Sequence, residues 1–198
     1  MVNFDFLSLL LGIIIALVSS FFANLWWNKY VSPHLTIRTL SEKEEQEKNQ
    51  GNVNTKFVHL RIKNEGRSVA FVSQASIKFE GDKKEICGRW DAKGEPRAFV
   101  DNQQILLMSS IPEGSKIDTR PKSETDLVIA WKEIRAMEAY AFNDWNYAYG
   151  FKYEKHKLVT NEQIITVTLY HSGGEEKPKK FKLKNSGDSL DNFYLCNL

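Results

Sequence analysis

From Phe6 to Trp27 the chain runs 22 residues without a charge, FLSLLLGIIIALVSSFFANLWW, and no other feature constrains its fold as strongly. At about 1.5 Å of rise per residue, a helix of that length crosses the ~30 Å hydrocarbon layer of a bilayer. A cleaved signal peptide starts basic and ends in small residues. Here no Lys or Arg precedes the run, and Phe21, Phe22, Trp26 and Trp27 crowd its end, so residues 1–31 read as a retained transmembrane anchor. Trp26, Trp27 and Tyr30 suit a headgroup-level aromatic belt. Asp5 before the helix and Lys29 and Arg38 after it put the positive side downstream. The expected arrangement is a single-pass protein of the inner (plasma) membrane with its C-terminal part in the cytoplasm.

Within the run, Ser8, Gly12, Ala16 and Ser20 recur at every fourth position, and Asn24 is next in the row. Residues at that spacing share one helix face. Small side chains there let two backbones approach, and hydroxyls bond across the contact, so the helix is expected to pack against copies of itself.

Residues 32–198 are enough for one domain with a core and short for two. A formal charge of +2 gives no case for nucleic acid as partner, so any electrostatic argument has to be local. Cys87 and Cys196 are too few for a disulfide framework or a cysteine metal site, and they read as two reduced core thiols. No Asn-x-Ser/Thr acceptor occurs, in keeping with a cytoplasmic domain.

Pro33 ends the helix, and Leu35, Ile37 and Thr39 alternate with polar neighbours as a first strand would. Residues 41–54, SEKEEQEKNQGN and its flanks, are charged and nearly free of apolar side chains, and read as a loop. From Phe57 onward, period-2 runs separated by turn signals dominate: Val58 to Ile62, Val72 to Phe79, Ile86 to Trp90, Ile105 to Met108, Leu127 to Trp131, Tyr147 to Tyr153, Ile164 to Tyr170, Phe181 to Leu183 and Phe193 to Leu195. That many short strands at that spacing argue an all-β antiparallel sandwich. Lys132 to Ala139 reads as its one short helix.

The run HLRIKNEGRSVAFVSQASIKF, the later Trp90, the IPEGSKID turn, and the Tyr-rich stretch before ITVTLY and FKLKNSGD resemble a group of prokaryotic single-pass, membrane-anchored proteins. The resemblance implies an immunoglobulin-like β-sandwich over residues 32–198 and carries no activity with it.

Catalytic signatures are missing. Gly187-Asp188-Ser189-Leu190 spells a hydrolase nucleophile motif, but no His follows it to act as base, so it reads as a turn. His34, His59, His156 and His171 are scattered singly, with His59 and His156 at expected surface positions, and no phosphate-binding glycine loop occurs. No enzyme activity, metal or cofactor is expected.

Two features suggest a binding surface. Trp145, Tyr147, Tyr149, Phe151 and Tyr153 occupy alternate positions and project from one face of an extended strand, either as core or as a stacking platform. Between Phe151 and Lys184 lie eight lysines and four glutamates, and Lys180, Lys182 and Lys184 share one exposed face, either as charge defence of an edge strand or as an attraction for anions. Arg67 and Arg89 could add guanidinium contacts. The leading expectation is a non-catalytic binding module, oligomerising through its helix, with lipid, protein or an anionic partner. The second is a ligand-gated membrane effector of antiviral-defence type that senses a nucleotide-like anion.

Overall fold

The structure, a computed structural model, describes residues 6–46, 54–91, 97–100, 103–106, 115–144, 154–158 and 161–198. An α-helix, α1 (Phe6–Trp26), passes into one π turn (Trp27–Val31) closed by the Ser32 N–H on the Trp27 carbonyl at 2.9 Å. Pro33 follows and cannot extend it. From Ser8 to Trp26 the helix is long and apolar enough to cross a membrane, and every one of those side chains is exposed.

Among the described residues fifteen strands follow: β1 (Leu35–Gln46), β2 (Asn54–Asn64), β3 (Ala70–Phe79), β4 (Lys84–Cys87), β5 (Arg89–Trp90), β6 (Arg97–Val100), β7 (Gln103–Leu106), β8 (Ile117–Thr119), β9 (Glu124–Glu133), β10 (Ala139–Ala141), β11 (Lys157–Leu158), β12 (Glu162–His171), β13 (Gly174–Glu175), β14 (Lys179–Asn185) and β15 (Phe193–Asn197). They make an antiparallel β-sandwich. One sheet runs β1-β2-β9-β10-β11 with β5 also on β9. The other runs β15-β14-β12-β3-β4 with β13 on β12 and β8 on β3, and β6 and β7 form a separate hairpin.

Alternation places the core as the sequence pattern implies. Val58, Leu60, Ile62, Leu127 and Ile129 of the first sheet pack on Ala75, Ile77, Phe79, Ile165, Val167, Leu169, Phe181 and Leu183 of the second. Trp90 is 1% exposed, and its indole N–H donates to the carbonyls of Ser73 and Ser115 at 3.0 and 3.2 Å. The first sheet is also buried on its outer face, where Phe57, Trp131 and Tyr140 are successive cross-strand partners. The Trp131 and Tyr140 rings stack at 5.4 Å, and Phe142 meets Phe57 edge-on at 5.7 Å.

The end of the core far from the helix is polar. Lys56 and Lys132 are cross-strand partners with side chains turned inward, 4% and 0% exposed. The Lys132 ammonium donates to Asn185 Oδ1 at 2.7 Å and the Gly187 carbonyl at 2.6 Å, and Lys56 donates to the Leu190 carbonyl at 3.0 Å. The Gly187-Asp188-Ser189-Leu190 run is thus a turn whose carbonyls receive two buried ammonium groups, and Ser189 caps the short 3-10 turn after it. Burial pushes the Lys132 ammonium below its ordinary pKa, against the pull of Asp188.

Several expectations are corrected. Residues 41–54 are not all loop: β1 continues through Gln46 in register with β2, Ser41 opposite His59 and Gln46 opposite Asn54. The backbone ladder to β2 carries these residues, and charge in the sequence is well suited to a sheet edge. Lys132 to Ala139 is no helix. β9 extends to Glu133, Arg135 at φ +61° helps close a tight turn, and β10 returns so that Tyr140 can stack on Trp131. His59 is buried at 3% beside the Phe57 ring, because the outer face of β2 is itself covered, and His156 is half-buried. Cys87 is exposed and Cys196 partly so, since each falls on the outward phase of its strand, and neither is in a disulfide.

Candidate functional site at the helix-proximal end

The link between helix and sandwich is cross-braced by side chains from several turns. Asn64, the last residue of β2, is fully buried and uses both ends of its amide. Its Oδ1 accepts the His34 and Gly66 backbone N–H groups at 3.2 and 3.0 Å. Its Nδ2 donates to the Ser68 and Thr119 carbonyls at 2.9 and 2.8 Å. The Asn64 backbone adds bonds to Ser123 and Lys122, and the Glu65 N–H donates to the His34 carbonyl at 2.7 Å. One side chain therefore ties the start of β1, the β2–β3 turn and the segment before β9 into a single unit.

Two glycines admit the linker. A Cβ on Gly66 would lie 2.4 Å from the Ser32 carbonyl oxygen and 2.6 Å from Pro33 Cα, both backbone atoms with nowhere to go. A Cβ on Gly173 would lie 2.9 Å from Pro33 Cγ. Pro33 is thus clasped from two turns.

The third brace is a carboxylate. Glu176 Oε1 accepts the Leu35 N–H at 2.7 Å and takes His34 Nδ1 at 2.8 Å and His171 Nε2 at 3.1 Å. The Gly173 N–H donates to His171 Nδ1 at 3.0 Å, so the His171 proton sits on Nε2 and points at Glu176. Both nitrogens of His171 are then engaged in hydrogen bonds, and the ring braces the turn against Glu176. Beside the clasp, Tyr30, Ser32, Pro33, His34, Glu65, Gly66 and Arg67 line a cleft of about 360 Å³. Glu65 of this cleft pairs with Arg38.

The lysine row lies elsewhere. β14 is not an edge strand: β12 and β15 flank it. Lys180 pairs with Glu80 at 2.9 Å, Lys182 with Glu162 at 2.9 Å, and Lys184 with Glu162 at 3.5 Å, so each ammonium faces a carboxylate on the same sheet surface. Hydrogen bonds from Lys180 and Thr166 hold Glu80, and one from Lys182 holds Glu162, below the usual carboxylate range. Tyr147, Tyr149 and Tyr153 fall outside the described residues. Arg89 is buried and ion-paired to Asp144, whereas Arg67 stands exposed at the cleft. Ser8, Gly12, Ala16 and Ser20 line one exposed face of α1, and a Cβ on Gly12 would meet nothing within 4 Å. Among the described residues no group of three or more His, Cys, Asp and Glu side chains could hold a metal.

The His34–Glu176–His171 brace was missed by the sequence reading because its members are 142 and 5 residues apart and follow no motif spacing. The turn Ser172-Gly173-Gly174 next to His171 was its only local signal.

No family model matches the chain, and no curated protein matches it. Among solved structures, the chain is similar to a crystal structure described as the ApaA protein from Bordetella pertussis, at 13% identity and a TM-score of 0.28, covering 85% of this chain and 97% of that one. A similarity at that level carries no argument about fold or function.

Proposed function

We propose that the chain is a single-pass membrane protein whose helix both anchors it and packs on further copies, and whose sandwich is a non-catalytic binding module on the cytoplasmic face. The observation that carries this reading is the fully exposed apolar surface of α1 from Ser8 to Trp26, joined through the clasped Pro33 to a sandwich with its own separate core. Leaving that much apolar surface in water would be strongly unfavourable. The immunoglobulin-like assignment is supported by strand order: β1-β2-β9-β5 beside β14-β12-β3-β4 repeats, in chain order, the A-B-E-D and G-F-C-C′ arrangement of those sandwiches.

Sidedness and assembly are tested on the full chain in its membrane. Exposed Cys87 should resist a membrane-impermeant maleimide in spheroplasts and react after lysis, and crosslinking in the bilayer should yield more than a monomer. Labelling before lysis overturns the cytoplasmic placement, and a persistent monomer overturns the assembly.

The second reading, a ligand-gated effector sensing a nucleotide-like anion, would need Lys180, Lys182 and Lys184 to exchange Glu80 and Glu162 for phosphate. Binding of cyclic oligonucleotides to the full chain at low salt, together with ion leak from vesicles that hold it, would favour this reading over the first.

A further inference from the structure

The start of β3 breaks the alternation of the sandwich. Ala70 pairs with Thr119 and Ser73 with Ile117, with a register shift between them, so Phe71 and Val72 are squeezed out of the ladder. Both side chains are exposed, at 53% and 55%. Val72 sits at φ +50°, a left-handed conformation that β-branched residues avoid, and it is held there by its N–H on Asp118 Oδ1 at 2.8 Å. Phe71 is held by Ser172, whose Oγ accepts its N–H at 3.2 Å and whose N–H donates to its carbonyl at 3.1 Å. Strain kept by specific bonds in order to expose two apolar side chains points to a surface in use.

Its place in the fold identifies what covers it. Ser172 adjoins Gly173, which abuts Pro33, so Phe71 lies two contacts from the residue that follows the helix. The turns at the same end carry Arg67, Arg120 and Lys122, all exposed, and none of these three makes an ion pair among the described residues. On β14, by contrast, Lys180, Lys182 and Lys184 each face a carboxylate. An exposed aromatic and a β-branched residue amid unpaired cations, one turn beyond an apolar helix, match a bilayer surface with anionic headgroups.

We propose that the helix-proximal end of the sandwich is a lipid-docking surface, with Phe71 and Val72 entering the interfacial layer and Arg67, Arg120 and Lys122 facing lipid phosphates. This rests on the reading of α1 as a membrane anchor. The domain then lies against the membrane rather than swinging on its linker.

The test uses the full chain with Cys87→Ser and Cys196→Ser, reconstituted in phosphatidylcholine vesicles containing some phosphatidylglycerol. A fluorophore is placed at Glu175→Cys, on the hairpin beside His171, or at Asn192→Cys, at the opposite end of the sandwich. With headgroup-spin-labelled lipid, quenching at 175 should be several-fold stronger than at 192. It should fall toward the 192 level in Phe71→Ser combined with Arg67→Glu, Arg120→Glu and Lys122→Glu, all of which are surface changes that leave the core intact. Equal quenching at 175 and 192, or quenching at 175 that the combined variant leaves unchanged, overturns docking while retention of the protein through an alkaline wash keeps the anchor. Loss of the protein in that wash overturns the anchor and the docking together.

Discussion

Gly66 lies so close to Pro33 that a single added carbon would fall 2.6 Å from the proline Cα. Because the obstacle is backbone, the turn or the linker would have to move. Gly66→Ala is expected to cost about 1–3 kcal/mol, as overpacking of a filled site does. Thermal unfolding of the detergent-solubilised chain measures it, and limited proteolysis should show new cleavage around Ser32 to Leu35.

Asn64→Ala removes the amide that four backbone groups share. Each group left buried without a partner costs about 1–3 kcal/mol, so this variant should be among the most damaging polar changes in the chain. Denaturant unfolding compares it with Asn64→Asp, which keeps the acceptor for His34 and Gly66 and loses the donor to Ser68 and Thr119.

How much of this was legible follows from range. Strands such as β2, β3 and β12 announce themselves because Val58, Leu60 and Ile62, or Ile165, Val167 and Leu169, carry the alternation locally. The helix is legible for the same reason. The phase of β14 was readable too, but its interior position was not, since lysines facing solvent look alike on an edge or beside a neighbour. His59 misled because its strand is covered on both faces, which alternation alone cannot signal. The clasp on Pro33 depends on Asn64, Gly66, Gly173 and Glu176, polar or small residues with no periodicity that meet only through topology.

The row Phe57, Trp131, Tyr140 on the outer face is a packing unit rather than decoration. Trp131→Ala is expected to destabilise by about 3–5 kcal/mol. Tyr140→Phe, which keeps the ring and removes only the hydroxyl bond to Glu138, should cost much less. Equilibrium unfolding of the two variants checks the contrast.

Stability at alkaline pH should show two opposed contributions. Burial, aided by the bond to Glu138, pushes the Tyr140 phenol up to about 12 from its ordinary 10.0. The unfolded chain therefore loses that proton first, and the stability Tyr140 confers is present below pH 10 and drains away as pH climbs toward 12. Lys132 works the other way. Its pKa is lowered from 10.5, so the unfolded chain holds the proton more tightly and the penalty of burying the ammonium is relieved as pH rises toward 10.5. Tyr140→Phe should flatten the fall above pH 10, and Lys132→Met should flatten the rise below it, both read from unfolding midpoints across pH.

Replacing Gly12 by Ile puts a branched side chain on the small-residue face of α1. If Ser8, Gly12, Ala16 and Ser20 form a helix–helix contact, crosslinked oligomer in bilayers should drop several-fold. Ile14→Val, on another face, should leave it unchanged.

Everything assigned to the module depends on α1 lying in lipid. Flotation of the intact chain with vesicles after an alkaline, high-salt wash tests this most directly. The expected result is that the protein rises with the lipid and needs detergent to leave it. A chain that stays in the dense fraction, monodisperse and folded without detergent, would contradict the account.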